Sequence, residues 1–124
     1  MICLDTNYLV RALVRETPEA AQVTTWLRDG ETLFASSVAW FEFLCGPVTA
    51  QEVLLVRGLL TGGLLAFEDA QAAAAARLFN AAGRLRRLRV DAMIAACAMV
   101  GGCRLATSNR DDFSAFVPFG LVLA

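Results

Sequence analysis

Histidine and lysine are both missing from this chain. Without histidine, Ser-His-Asp and Cys-His nucleophiles and His-ligated metal centres are excluded. Without lysine, Schiff-base chemistry and a P-loop lysine are excluded as well. All 11 basic residues are therefore arginine. No apolar run reaches the roughly 18 residues of a membrane span; the longest candidate is Ala92–Val100. The start of the chain has no basic region followed by an apolar one, so no signal peptide is expected. The four cysteines, Cys3, Cys45, Cys97 and Cys103, form no CxxC pair. They read as reduced core thiols of a cytoplasmic protein, not as a zinc site or a disulfide framework. Chemistry is left to carboxylates, hydroxyls and thiols.

A chain of 124 residues predicts one domain, spanning 1–124, with a real core. Apolar residues make up 57% of it, against about 45–50% in an ordinary globular protein. The excess points to surface covered by a partner, such as a second copy of the chain. Net charge is −1 and the pI about 5.3. That counts against a general high-affinity nucleic-acid binder, yet is compatible with an enzyme carrying a local basic patch.

Strand and helix signals alternate along the chain, with no hairpin signal. Apolar Ile2–Leu4 reads as a short buried strand, and helical spacing follows over about 6–16. Thr17-Pro18 opens a second helix to about 29, closed by Asp29-Gly30. A strand at 32–36, helices at 38–45 and 49–61, and a strand at 64–67 come next. Glu68-Asp69 start an alanine-rich helix to about 82. A helix over 90–100, a strand at 103–107, a polar loop at 108–112 and a last strand near 120–123 complete the chain. The pattern predicts an α/β fold: a parallel sheet of four to five strands with helices on both faces.

Three acids stand in apolar company. Asp5 follows the first strand, where α/β folds bind ligands beyond the carboxyl ends of strands. Glu42 is the lone charge of Val38–Cys45, which lacks the polar face of a surface helix and so reads as largely buried. Asp91 is similarly alone in Val90–Val100. Each has an ordinary explanation, as a helix cap or an arginine partner. Taken together, they predict carboxylates meeting around a divalent ion, because buried carboxylates must pair, bind metal or become neutral. Oxygen ligands suit Mg²⁺ or Mn²⁺, which activate water and stabilise phosphoryl oxygens. A fourth polar group would come from Thr107–Asp112, with Asn109, Asp111 and Asp112 as candidates beside the hydroxyls of Thr107 and Ser108. An Asx-rich turn explains that segment equally well. Arg84, Arg86, Arg87 and Arg89 either hold a phosphate backbone or form a solvated helix end.

Four segments, Leu4–Asn7, Ser37–Gly46, Arg89–Ala98 and Leu105–Phe113, together resemble a PIN domain of the VapC toxin type, over essentially the whole chain. The resemblance implies a metal-dependent endoribonuclease, the toxin of a toxin–antitoxin pair, usually a homodimer held inactive by a VapB-like antitoxin. It implies that Asp5, Glu42 and Asp91 bind metal and orient water. Asn109 falls at the looser fourth position, often an aspartate, and Asp112 matches the acid before the phenylalanine. The neutral Asn109 leaves open whether Asp111 or Asp112 takes part instead, or a second metal binds weakly. Glu42 or Asp112 would help deprotonate the water, and Thr6, Asn7 and Thr107 would support the site. Two other classes stand beside this one. A haloacid-dehalogenase-like phosphatase wants an aspartate where Asn7 stands, and both it and a receiver domain want a lysine. A non-catalytic PIN-like binding module would retain the fold without metal-dependent cleavage.

Overall fold

Ile2, Cys3 and Leu4 are wholly inaccessible, because they form the central strand β1 of a sheet covered on both faces. The computed structural model describes residues 1–124. After β1 come α1 (Thr6–Arg11), α2 (Pro18–Arg28), β2 (Leu33–Ser36), α3 (Ser37–Leu44), α4 (Ala50–Leu59) and β3 (Gly63–Leu65). The second half holds α5 (Asp69–Ala81), a 3-10 turn (Arg86–Leu88), α6 (Arg89–Val100), β4 (Arg104–Ala106), α7 (Arg110–Phe113) and a 3-10 segment (Ser114–Phe119).

The strands are all parallel and lie in the order β3-β2-β1-β4. The chain thus steps outward from β1 to β2 to β3, then crosses back to place β4 on the other side of β1. Right-handed crossovers put the helices of the outward steps on one face and those of the return on the other. α1 accordingly packs against α2 and α3, and α5 against α6. Ala74 and Ala75 of α5 and Ala92, Ala95 and Ala96 of α6 are buried, small side chains that let the two helices approach closely. Between β1 and β4 the strand order reverses, and ligands of open α/β sheets bind at such a switch point. Asp5 leaves β1 there and Thr107 leaves β4, with the Asp5 N–H donating to Ala106 O at 2.9 Å.

Four elements depart from the sequence expectation. α1 ends at Arg11, well short of 16. The Thr17 hydroxyl takes the carbonyls of Arg11 and Val14 at 3.2 and 2.8 Å, and Glu16 sits at φ 64°, outside the helical region. The polar loop at 108–112 contains the short helix α7. The last strand shrinks to a single bridge, Leu105 to Leu123, because Pro118 and the left-handed Gly120 hold the preceding residues in a 3-10 path. Finally, α3 is not largely buried. Ala39 and Phe43 face the core, but Phe41 is 66% exposed and Leu44 and Glu42 are exposed too. Apart from Glu42, its exposed surface is apolar, an uncovered face of this single chain and not part of a core helix.

Candidate active site

Asp5 is 5% exposed and caps α1, so the capping explanation holds for it. Capping engages only Oδ1, which accepts from the Thr6 N–H at 2.8 Å. Oδ2 accepts from the Thr107 hydroxyl at 2.7 Å, across the switch point. Burial raises the Asp5 carboxyl above its usual range, partly opposed by the Thr107 and Thr6 bonds and reinforced by the charge of Glu42.

Glu42 reaches the same place from α3. Ser36, buried at the end of β2, caps that helix through the Ala39 N–H at 3.0 Å and so fixes its start beside β1. The Thr6 hydroxyl then donates to Glu42 Oε1 at 2.7 Å. Asp91 comes from the first turn of α6, whose N-cap is Leu88, so Asp91 is not the cap of its helix. No hydrogen bond holds its carboxyl, which is pushed up to about 6 by burial first and then by the charges of Asp5, Asp112 and Glu42, with Arg87 opposing. The three acids from three elements face one cleft of about 380 Å³, with Thr6, Asn7 and Asn109 on its walls. A larger depression of about 710 Å³ lies along Phe67–Ala72, but it brings together only the adjacent Glu68 and Asp69.

The fourth polar segment behaves differently from the three acids. Asn109 lines the cleft, its N–H bonded to the Thr107 hydroxyl at 3.0 Å. Asp112 lies behind it, accepting from Asn109 Nδ2 at 3.0 Å and paired with Arg87. Those two contacts, the Asn109 bond first, lower the Asp112 carboxyl. Asp111 is exposed. Of the arginines, Arg89 stacks over the Phe79 ring at 5.8 Å, while Arg84 and Arg86 are exposed.

The donors on the cleft are oxygens, with no thiol among its walls, a set suited to a hard cation such as Mg²⁺ or Mn²⁺. No three acids are drawn together into a ready-made cage. A magnesium-type ion fits this spacing, since it keeps several waters and takes only one or two carboxylates. The unbonded Asp91 carboxylate, crowded by like charges, is the group such a cation would relieve.

Two residues of the site, Arg11 and Glu19, are not marked by the sequence. Arg11 is the one cation on the cleft walls. Its partner Glu19 is buried, and Glu19 also holds Ser108. An acid just after a helix-opening proline carries no unusual signal, so nothing in the sequence marked it.

Solved structures share this architecture. FitAcB from Neisseria gonorrhoeae is 23% identical with a TM-score of 0.71, the match covering 100% of this chain and 97% of that one. A toxin–antitoxin complex from Klebsiella pneumoniae gives 20% identity and a TM-score of 0.75 over 100% and 97%. VapBC2 from Rickettsia felis, bound to a DNA fragment from its promoter, gives 20% and 0.69 over 100% and 98%. At such identities the likeness establishes the fold. No curated protein matches the sequence. The family model of the PIN domain, however, matches residues 2–117, nearly the whole chain. With its parallel sheet and the acids at its switch point, the chain belongs to the PIN domain family.

Proposed function

We propose that this PIN domain is an Mg²⁺- or Mn²⁺-dependent endoribonuclease and the toxin half of a toxin–antitoxin pair, acting in the cytoplasm. The observation that carries the reading is the convergence of Asp5, Glu42 and Asp91 on one cleft at the switch point. These three would hold the ion. When bound, such an ion supplies Lewis-acid stabilisation of phosphoryl oxygens and activates water. Thr107 and the Thr6 N–H fix both oxygens of Asp5, and the Thr6 hydroxyl fixes Glu42. Preset donors of this kind need no reorganisation during reaction. The second oxygen of Glu42 is left free to accept a proton from the attacking water. Asn109 and Arg87 keep Asp112 ionised at the edge of the site. The exposed arginines Arg84, Arg86, Arg87 and Arg89 offer contacts to an RNA backbone that carry no sequence preference.

A partner protein accounts for the apolar surface. Val10, Leu13 and Val14 beyond and within α1, Phe41 and Leu44 of α3, and Leu54 and Leu55 of α4 are all exposed. Isolated apolar residues on a surface are ordinary, but a run over neighbouring helices marks an interaction face. One structural neighbour is a toxin–antitoxin complex, and we assign to this chain an antitoxin and a homodimeric state. The test is cleavage of a mixed RNA pool by partner-free protein with Mn²⁺, Mg²⁺ or EDTA, beside Asp5→Asn and Asp91→Asn. Metal-dependent cutting lost in both variants is expected. A folded wild type that cuts nothing and shows no carboxylate-dependent stabilisation by Mg²⁺ or Mn²⁺ would favour the non-catalytic module.

A further inference from the structure

Glu19 is the one acid besides Asp5 that the fold buries, at 5% exposure, and nothing in the cleavage chemistry uses it. It stands in the first turn of α2, directly after Pro18. Oε1 accepts from Arg11 Nη1 at 3.1 Å and from the Ser108 hydroxyl at 2.7 Å, and Oε2 is buried with no partner. An acid serving only the helix dipole would do so from the surface. Burying a carboxylate with one oxygen unsatisfied is unfavourable, so its placement needs another reason.

That reason lies in what Glu19 joins. Arg11, at the end of α1, is the only cation lining the acidic cleft. Ser108 sits between Thr107, which holds Asp5, and Asn109, which holds Asp112; its own N–H donates to Asn7 Oδ1 at 3.2 Å. Arg11 gives Glu19 a single contact and keeps 54% of its side chain exposed. A guanidinium has five N–H donors, so most stay available to another anion. The unpaired Oε2 shows the same thing from the carboxylate side: the pairing is not the bidentate fork that would saturate both groups.

We infer that Glu19 is a positioning residue that holds Arg11 at the rim of the acidic cleft, where Arg11 binds a phosphate of the nucleic-acid strand flanking the scissile bond. The substrate class rests on the nuclease reading. A cleft walled by Asp5, Glu42 and Asp91 repels a polyanion, and a cation on its rim is what draws the backbone in. Left alone, a long arginine side chain would lose freedom on binding; anchored by Glu19, it has lost that freedom already.

Two readouts test this: binding of a fluorescent single-stranded RNA oligonucleotide in EDTA, and kcat and KM with Mn²⁺. The variants are Arg11→Ala, Arg11→Lys, Glu19→Gln and the Arg11→Ala/Glu19→Gln pair. Glu19→Gln is nearly isosteric and still accepts from Ser108. Arg11→Ala should weaken EDTA binding and raise KM by about tenfold with kcat little changed, the loss of one charge-assisted contact. Arg11→Lys should recover part of it. Glu19→Gln should raise KM by about threefold to fivefold, and the pair should be no worse than Arg11→Ala alone. A Glu19→Gln effect confined to stability, or one that multiplies in the pair, overturns the inference. A wild type that binds through Arg11 but never cuts refutes the nuclease reading and leaves standing only the part of the inference in which Glu19 holds Arg11 for a phosphate contact. One that cuts while Arg11→Ala leaves binding and KM alone overturns only the inference. One that neither binds nor cuts overturns both.

Discussion

Asp91→Asn should make the metal-free protein more stable at neutral pH. The Asp91 carboxyl moves from 3.8 to about 6 in the fold, driven by burial and by Asp5, Asp112 and Glu42. An acid raised on folding stabilises most when protonated in both states, below about 4, and that contribution is lost as pH rises through about 6. At 1.36 kcal/mol per unit the full shift is worth about 3 kcal/mol. Asp91 is only half-buried, and solvent screening reduces this to roughly 1–1.5 kcal/mol. The variant also forfeits a carboxylate in the first turn of α6, worth about 0.3–1 kcal/mol at a helix N-terminus. The net gain at pH 7.5 in EDTA is about 0.5–1 kcal/mol, a rise in Tm of a few degrees. Thermal denaturation at pH 4 and pH 7.5 measures it, and the gap should close at the lower pH. Adding Mn²⁺ should reverse the ranking. Wild type gains about 1.4 kcal/mol at ten times its Kd, while the variant, short of one ligand, gains less. A variant that is less stable than wild type at pH 7.5 in EDTA, or a gap that persists at pH 4, would refute the reasoning.

Thr107→Val removes the hydroxyl shared by Asp5 and the Asn109 N–H; urea denaturation should show a loss of about 1–2 kcal/mol, and kcat should fall by about tenfold. Thr6→Val should lower kcat severalfold with stability within about 0.5 kcal/mol, since its bond to Glu42 is exposed. Thr6→Ser should restore kcat, because it restores the hydroxyl. Phe41→Glu, at a side chain 66% exposed, should change the stability of the single chain by no more than about 0.5 kcal/mol. The same variant should lower the molar mass in light scattering if α3 carries the homodimer contact, or abolish co-purification with a co-expressed antitoxin if it carries that one.

Residues that announce themselves within a few positions were legible. Ile2–Leu4 followed by Asp5 reads as strand-then-carboxylate, and the sheet puts it at the switch point. The strand–helix alternation gives the parallel sheet, and Thr17-Pro18 does open the second helix. The tail departs from the expected strand because Pro118 and Gly120 decide its backbone, which apolar composition does not show. α3 failed for a more general reason. Apolar periodicity says that a face is covered and leaves open whether the core or a second protein covers it. A lone charge on an apolar helix points to Glu42 as buried; it is exposed, and it reaches the cleft because Thr6 holds it there.

What no local pattern could show is the cation side of the site. Glu19 meets Ser108 across 89 positions, and Arg87 meets Asp112 across 25. Arg11 and Glu19 are eight apart, a separation that fits neither one helix turn nor a strand pairing. They meet only because α1 stops at Arg11 and the chain turns through Glu16 before α2 begins. A continuous helix over 6–16 would have carried Arg15 and Glu16 onward and moved α2 away from α1. The break that the sequence reading missed is therefore the feature that places Glu19 behind Arg11. Acids at strand ends can be found by asking which charges lack company, and the arginine that completes such a cleft by asking where the helix before it ends.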